Sequence, residues 1–206
     1  MTTPSYWPQA LAGLSQGDPV MAGLIQRFDQ LSLVSRGDPF STLARSIVGQ
    51  QISVKAADAV WSRFVSRVES VCPEAVLEQG LAGLSGCGLS RRKIEYMCDL
   101  AAHFASGELD PMDWDSLDDE ALIVELTKVR GIGRWTAEMF MIFNQLRPDV
   151  FPLDDIGLQR AVFEQYFGGE KQSRMVLAEF GQRWQPWRSV ATCFLWRSLD
   201  PVPVAY

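Results

Sequence analysis

Apolar residues recur at helical spacing along most of this chain, whereas the strict alternation typical of strands is scarce. The segment 40–68 has two apolar faces, interrupted at Gly49-Gln50-Gln51, and predicts two helices or one broken helix. A third apolar face begins at Lys93 and ends near Gly107. The pattern therefore predicts an all-helical protein.

Several helix starts are marked by residues that cap free backbone N–H groups. Asp18 and Asp38 each precede a proline, the usual order of an N-cap and a first helical residue. Ser90 and Ser116 predict two further caps. Additional helices are predicted at about 117–128, 134–146, 156–167, 174–184 and 186–199. Short loops join them, so we expect a single domain of residues 1–206, with a central lobe at about 40–145 and a second lobe from 1–39 plus 146–206.

Composition narrows the class of protein. A chain of 206 residues with 47% hydrophobic content can bury a sizeable core. It has no apolar run long enough for a membrane and no signal-like start, so we expect no membrane association and a cytoplasmic location. Four cysteines without C-x-x-C spacing and a single histidine offer few metal ligands, and we expect reduced thiols and no metal held by side chains.

The net charge of -6 runs against the usual pattern of proteins that bind phosphates. The acidic residues are unevenly placed, however. Ten of the 25 lie between Ile94 and Thr127, a segment without Lys or Arg, and the rest of the chain has 19 basic and 15 acidic residues. This distribution is compatible with DNA binding, and it leaves open a helical protein-interaction domain that never touches DNA.

Gly131-Ile132-Gly133 lies between two predicted helices. Glycine permits a tight turn, and free N–H groups near Gly131, Gly133 and Arg134 can bind a phosphate at the start of the next helix. For these three residues alone, an ordinary helix–helix corner is an equal alternative. The longer string L-x-x-V-x-G-I-G-x-x-T-A, from Leu126 to Ala137, resembles the DNA-binding hairpin of base-excision glycosylases related to endonuclease III, MutY and AlkA-type 3-methyladenine glycosylases.

Asp154 and Asp155 follow this hairpin where a loop enters a predicted helix. Taken alone, such a pair is most simply a helix cap. The resemblance instead puts the catalytic carboxylate on Asp155, where it would stabilise positive charge on the sugar, and leaves Asp154 to capping or local support.

Trp135 stands where strand-cutting members have a nucleophilic lysine, so the resemblance implies a monofunctional enzyme. Only Cys193 follows the catalytic region, so no iron–sulfur cluster and no other cofactor is expected.

The resemblance also implies a base pocket that contains Trp135, Trp196 and Met139. Electron-rich indole rings attract the cationic purines that alkylation produces. Met139 stands where the best-known relative has a tyrosine, which leaves the ranking of 3-methyladenine, 7-methylguanine, ethenoadenine and hypoxanthine open. Taken alone, Trp196 would be assigned to core packing. Tyr6 and Trp7 are further aromatic candidates without an assigned role.

The string from Ile47 to Ala57 resembles the family segment that enters the minor groove and fills the space of the flipped nucleotide. Gln51 aligns with the intercalating residue, and Gln50 is placed to bond to base edges. Without the other motifs, a polar helix break explains this string equally well. The resemblance further raises the option of a monovalent cation held by hairpin carbonyls.

The matching strings cover about residues 40–199 and imply a two-lobed, all-α HhH-GPD DNA glycosylase fold. Nothing before Asp38 indicates the N-terminal β domain of larger members. The expected function is hydrolysis of the N-glycosidic bond of alkylated purines in double-stranded DNA, by a monomer acting in base-excision repair at the nucleoid. The alternatives are a non-catalytic helix-hairpin-helix DNA-binding module and a glycosylase for oxidised or mismatched bases.

Overall fold

In the computed structural model, eleven α-helices make up most of residues 3–199, the part of the chain that the structure describes, and no β-strand occurs within those residues. The helices are α1 (Trp7–Gly17), α2 (Pro19–Arg27), α3 (Pro39–Gly49), α4 (Val54–Val68), α5 (Pro73–Gly83), α6 (Arg91–Ala105), α7 (Asp119–Thr127), α8 (Arg134–Phe143), α9 (Ile156–Tyr166), α10 (Arg174–Phe180) and α11 (Arg188–Leu199). Short 3-10 helices occupy Trp114–Ser116 and Gly181–Trp184. The all-helical prediction is confirmed. Within the same residues no helix has the length and apolar character that crossing a membrane requires.

Most of the residues predicted to cap a helix start do so in the structure. Asp18, Asp38 and Ser90 each accept a backbone N–H of the first turn of α2, α3 and α6. The prediction for Ser116 is wrong. Its hydroxyl donates to the carbonyl of Asp113 at 2.6 Å and it ends a 3-10 turn. Helix α7 begins instead after Asp118, whose backbone is extended and whose Oδ1 accepts the N–H of Ala121 at 2.8 Å.

The chain divides into two compact units. The central unit comprises residues 36–140, and the terminal unit comprises the described residues 3–35 and 141–199. The division after Phe140 falls within α8. The lobe boundaries expected from the sequence, at residues 40 and 145, stay a prediction.

The terminal unit is built around α11. Every residue from Ser189 to Leu195 is buried, and α1, α2 and α9 pack against this helix. A buried carboxylate, Asp18, ties distant parts of the unit together. Its Oδ1 caps α2, while its Oδ2 accepts the hydroxyl of Tyr166 at 2.8 Å and the indole N–H of Trp184 at 3.1 Å. These hydrogen bonds offset the cost of burying a charge.

The central unit has its own apolar core. Helices α3, α4 and α5 pack in sequence, and α6 contacts both α3 and α5. Trp114 is 1% exposed and meets the rings of Phe104 and Phe140 edge to face, with ring centroids 6.1 Å and 5.3 Å away. This tryptophan anchors the acidic segment that precedes α7, so the carboxylates around it lie on a fixed surface.

Candidate active site

Asp155 is the residue that caps α9. Its Oδ1 accepts the backbone N–H of Leu158 at 2.6 Å and the indole N–H of Trp196 at 2.8 Å. Two of the residues singled out from the sequence are therefore brought together within the terminal unit. Both donors fix one carboxylate oxygen, which sets the direction in which the carboxyl group points.

Asp154 has a different role from the one its position first indicates. The prediction that it caps the helix is wrong, because the extended residue directly before α9 is Asp155. Asp154 is exposed and pairs with Arg174 through two contacts, at 2.8 Å and 3.2 Å. This pair links the loop before α9 to the start of α10, which is the local support that the sequence left as its other role.

Gly157 was not singled out from the sequence, yet it borders the same carboxylate. A Cβ atom added there would lie 3.1 Å from Asp155 Oδ1 and 3.5 Å from the indole of Trp196. The first distance is tighter than ordinary van der Waals contact. The only signal in the sequence is a glycine at the second position of a helix, where it lowers helix propensity without an obvious gain.

The ring of Trp196 is as constrained as its N–H group. It is partly buried and stacks on Phe143, with ring centroids 5.8 Å apart and planes inclined by 19°. Stacking on Phe143 fixes the plane of the indole ring, and the hydrogen bond to Asp155 fixes how the ring is turned within that plane. The residue therefore combines an aromatic face with a positioning hydrogen bond.

Tyr6 and Trp7 contribute to the packing of the terminal unit. The Tyr6 hydroxyl donates to the carbonyl of Leu146 at 2.6 Å, and its ring stacks on Trp187. Burial, with a smaller contribution from Cys193, raises the pKa of Tyr6 to about 12. Trp7 is 5% exposed and stacks on Phe194. These contacts account for both aromatic residues as part of the core.

The predicted hairpin joins α7 to α8 in the central unit. Gly131 has a φ of +88°, and a Cβ atom there would lie 2.2 Å from the ring of Tyr96, so only glycine fits. Gly133 precedes α8 and its carbonyl accepts the N–H of Ala137 at 3.0 Å. Within residues 3–199, no group accepts a hydrogen bond from the backbone N–H of Gly133 or Arg134. These two donors are oriented as a helix start requires for binding an anion.

The guanidinium of Arg134 is bound to two carboxylates. It contacts Glu120 through two nitrogens, one of them at 2.9 Å, and Glu138 at 3.1 Å. The hydrogen bonds with Glu120 raise the pKa of Arg134 and lower that of the Glu120 carboxyl. The guanidinium of Arg134 is thus engaged within the central unit, whereas its backbone N–H has no acceptor among residues 3–199.

Trp135 and Met139 lie one turn apart on α8. The indole of Trp135 is 41% exposed, whereas Met139 is 8% exposed. An exposed tryptophan is unusual among the aromatic residues of this unit, where Phe40, Phe64 and Trp114 are buried. Trp135 is therefore partly exposed at the surface of α8, and Met139 is buried.

The plug loop, residues 50–53, joins α3 to α4 and carries both glutamines of the candidate site. Gln51 is exposed and has a φ of +58°, which non-glycine residues seldom adopt. Gln50 turns toward the hairpin, and its side-chain nitrogen donates to the carbonyl of Gly131 at 2.7 Å. The structure thus brings the plug loop and the hairpin into direct contact within the central unit.

Comparison with known proteins identifies the family and the fold of this chain. Residues 44–186 match the model of the HhH-GPD superfamily base excision DNA repair proteins. A crystal structure of the DNA-3-methyladenine glycosidase from Bacillus halodurans has a TM-score of 0.85 and 34% identity, covering 97% of this chain and 93% of that one. The 3-methyladenine DNA glycosylase of Schizosaccharomyces pombe, solved with abasic DNA, has a TM-score of 0.76 and 28% identity, with coverages of 92% and 96%.

These findings define the class of protein. The chain belongs to the HhH-GPD superfamily of base excision DNA repair proteins, and the fold expected from its motifs is confirmed. Within that superfamily it is similar to 3-methyladenine glycosylases in particular. A Bacillus subtilis relative, provisionally named a DNA-3-methyladenine glycosylase, is 32% identical over 78% of this chain. The chain spans 59% of the length of that relative.

Proposed function

We propose that this chain is a monofunctional DNA glycosylase that hydrolyses the N-glycosidic bond of alkylated purines in double-stranded DNA. The observation that carries the proposal is the carboxylate of Asp155, held through one oxygen by the N–H of Leu158 and the indole of Trp196. Stabilising a developing cation requires a charge whose position is set before the reaction begins. Asp155 has that property in a family whose members repair DNA bases.

The proposed chemistry needs few groups. The bond from C1′ of the sugar to the base nitrogen breaks, and its electron pair leaves with the base. A methylated purine of the 3-methyladenine or 7-methylguanine type is already cationic, so it departs as a neutral base without taking up a proton. Asp155 stabilises the positive charge left on the sugar, and water then adds to C1′ and releases a proton. The product is an abasic site in an unbroken strand.

Aromatic rings and the missing lysine support the choice of substrate and outcome. Trp196 and Trp135 are assigned to stacking on the damaged base, with Met139 at the position that adjusts which base fits. Because position 135 is a tryptophan, no amine is available there to attack the sugar, and strand cutting is not expected. The names of the similar proteins support alkylated purines as the class of base.

DNA contact is assigned to the central unit. The backbone N–H groups of Gly133 and Arg134 bind a phosphate, and Gln51 at the tip of the plug loop enters the duplex where the nucleotide is flipped. Backbone donors need no side-chain charge, which explains how a chain with a net charge of -6 binds DNA. We further propose that the protein acts as a monomer in the cytoplasm of a bacterial-type cell, associated with the nucleoid.

The test is release of free bases from methylated duplex DNA, followed by chromatography, with a gel run without alkali to detect strand cutting. Asp155→Asn is the informative variant, because an asparagine oxygen still caps α9 and accepts from Trp196 while the charge is lost. Asp154→Asn is its matched control at an exposed neighbour.

Three results are distinguishable in this experiment. Release of methylpurines without cutting, lost only in Asp155→Asn, supports the proposal. Binding without release by the wild type would instead indicate a non-catalytic helix-hairpin-helix module or a glycosylase for neutral bases. Undiminished release by Asp155→Asn would overturn the assignment of Asp155.

A further inference from the structure

Helix α6 presents three side chains that hold the DNA-contacting loops of the central unit. Lys93, Tyr96 and Asp99 are spaced three residues apart and therefore share one face of the helix, here called the α6 face. Each contacts a different point of the plug loop or the hairpin. In the sequence, Lys93 belongs to a basic cluster at a helix start that a solvated face would equally explain, and no motif marks Tyr96 or Asp99.

Lys93 binds the end of the helix that leads into the plug loop. Its ammonium donates to the carbonyls of Val48 and Gln50, both at 2.7 Å. The last carbonyls of a helix have no partner within it and carry partial negative charge, so a cation is well placed at the end of α3.

Other features favour a dedicated role for this ammonium. Lys93 lies in the first turn of α6, where its charge opposes the helix dipole. No carboxylate among the described residues lies within 4 Å of it. Burial also lowers the pKa of Lys93. The two carbonyls of α3 and the plug loop are therefore its main compensation.

Tyr96 and Asp99 hold the hairpin from the same face. The ring of Tyr96 lies directly against Gly131, in the space that a Cβ atom would fill. Asp99 accepts the backbone N–H of Arg130 at 2.8 Å and its Nε at 3.0 Å. The bond from the Gln50 side chain to the Gly131 carbonyl then closes the connection between the two loops.

We propose that the α6 face locks the plug loop and the hairpin into one preformed DNA-binding element, with Lys93 as the positioning residue. This inference rests on the proposed function, because it assigns both loops to DNA. This role differs from a phosphate contact, since the ammonium of Lys93 donates to protein carbonyls. Loss of Lys93 frees the plug loop from α6, and the ordering of that loop must then accompany binding.

The test measures the affinity of the purified protein for a duplex with an abasic-site analogue, across a range of salt concentrations. Lys93→Met is compared with Arg92→Met, which removes the same charge from an exposed position in the same turn. We expect Lys93→Met to bind about tenfold more weakly than Arg92→Met, with the salt dependence of the wild type retained. A lysine that touched phosphate would instead lower the slope of log affinity against log salt by about one.

Two further measurements separate positioning from loss of stability. Lys93→Arg keeps a cation that can donate to both carbonyls, and it should recover part of the affinity. In base release, Lys93→Met should raise KM with little change in kcat, since Asp155 belongs to the terminal unit. Thermal melting shows which variants are folded. If Lys93→Met fails to fold, the affinity of Lys93→Arg for the abasic duplex is compared with that of Arg92→Met. Weaker binding by Lys93→Arg at an unchanged salt slope then supports the positioning role, and equal binding overturns it.

The outcomes that contradict the inference are distinct from failure of the proposed function. If the wild type neither binds the abasic duplex nor releases bases, the proposed function falls. If the wild type binds but Lys93→Met equals Arg92→Met, or shows a reduced salt slope, the positioning role of Lys93 is overturned while the function stands.

Discussion

Helices α8 and α9 carry different parts of the candidate machinery, and they begin in opposite ways. At α9 the residue before the helix is Asp155, and its own carboxylate accepts a backbone N–H of the first turn. At α8 the corresponding residue is Gly133, which has no side chain. Side chains cap α2, α3, α4, α6, α7 and α10 in the manner of α9.

The difference shows how one structural device serves two purposes. A helix start that binds its own carboxylate fixes the position of that charge, which is what a reaction passing through a cationic sugar needs. A helix start without a capping side chain keeps its donors for an anion from outside. Glycine at position 133 departs from the usual pattern of this chain at the place where a phosphate is proposed to bind.

The largest effect is expected when the charge of Asp155 is removed while the cap is kept. Asp155→Asn should lower single-turnover base release by about a thousandfold, because electrostatic stabilisation of the transition state is lost. Affinity for abasic duplex and the melting temperature should stay near those of the wild type. Loss of stability comparable to an Asp155→Ala variant would show that capping, rather than charge, is the main role of this residue.

The bond between Trp196 and Asp155 tests how far the carboxylate depends on support beyond the helix. Trp196→Phe keeps a ring to stack on Phe143 but removes the indole N–H. We expect kcat for base release to fall about thirtyfold, because Asp155 loses a hydrogen bond to its charged oxygen. Trp187→Phe is a control for losing a tryptophan in the same unit. An equal fall in both variants would indicate a general packing effect.

Gly157→Ala addresses the same carboxylate from the other side. The added Cβ would lie 3.1 Å from Asp155 Oδ1, so the carboxylate must shift by a few tenths of an ångström. We expect about a tenfold loss of kcat and an unchanged or slightly raised melting temperature, because alanine favours helix. Gly23→Ala in α2, where nothing lies within 4 Å of the new atom, is the matched control. Activity equal to that of this control would exclude a positioning role for Gly157.

The smallest effect is expected from making α8 begin in the way that α9 does. Gly133→Ser has room for its side chain and supplies a hydroxyl that can cap the helix. Stability should rise by a few tenths of a kcal/mol, while affinity for duplex DNA falls about fivefold because the hydroxyl competes with the phosphate. Calorimetry and a binding titration measure the two changes. Improved binding would contradict the contrast drawn between the two helices.

Local features of the fold could be read from the sequence, whereas contacts between distant residues could not. The caps at Asp18 and Asp38 were predictable because the capping residue and its proline are adjacent. Ser116 misled the prediction because Asp118 offers a better acceptor two residues later. Either Asp154 or Asp155 could have capped α9, and the sequence does not show that Asp155 caps the helix while Asp154 pairs with Arg174, 20 residues further along.

The candidate site shows the same limit. Motif resemblance selected Asp155 and Trp196 without indicating which atoms they bind, and it directed Gln50 to base edges, whereas the Gln50 side chain donates to the carbonyl of Gly131. The bond from Gln50 to Gly131 joins residues 81 positions apart, and the bond from Trp196 to Asp155 spans 41. Such contacts depend on how helices pack, and the spacing of apolar residues specifies which face is buried but not its partner.

The hydrogen bonds of Asp18 also bear on the order in which parts of the protein fold during synthesis. Its partners Tyr166 and Trp184 follow it by 148 and 166 residues. At the usual speed of synthesis, roughly 7 to 30 seconds pass between the synthesis of Asp18 and that of Tyr166. The segment 36–140, which forms one compact unit, has been synthesised completely by then. The helices that emerge first from the ribosome are therefore among the last to find their place.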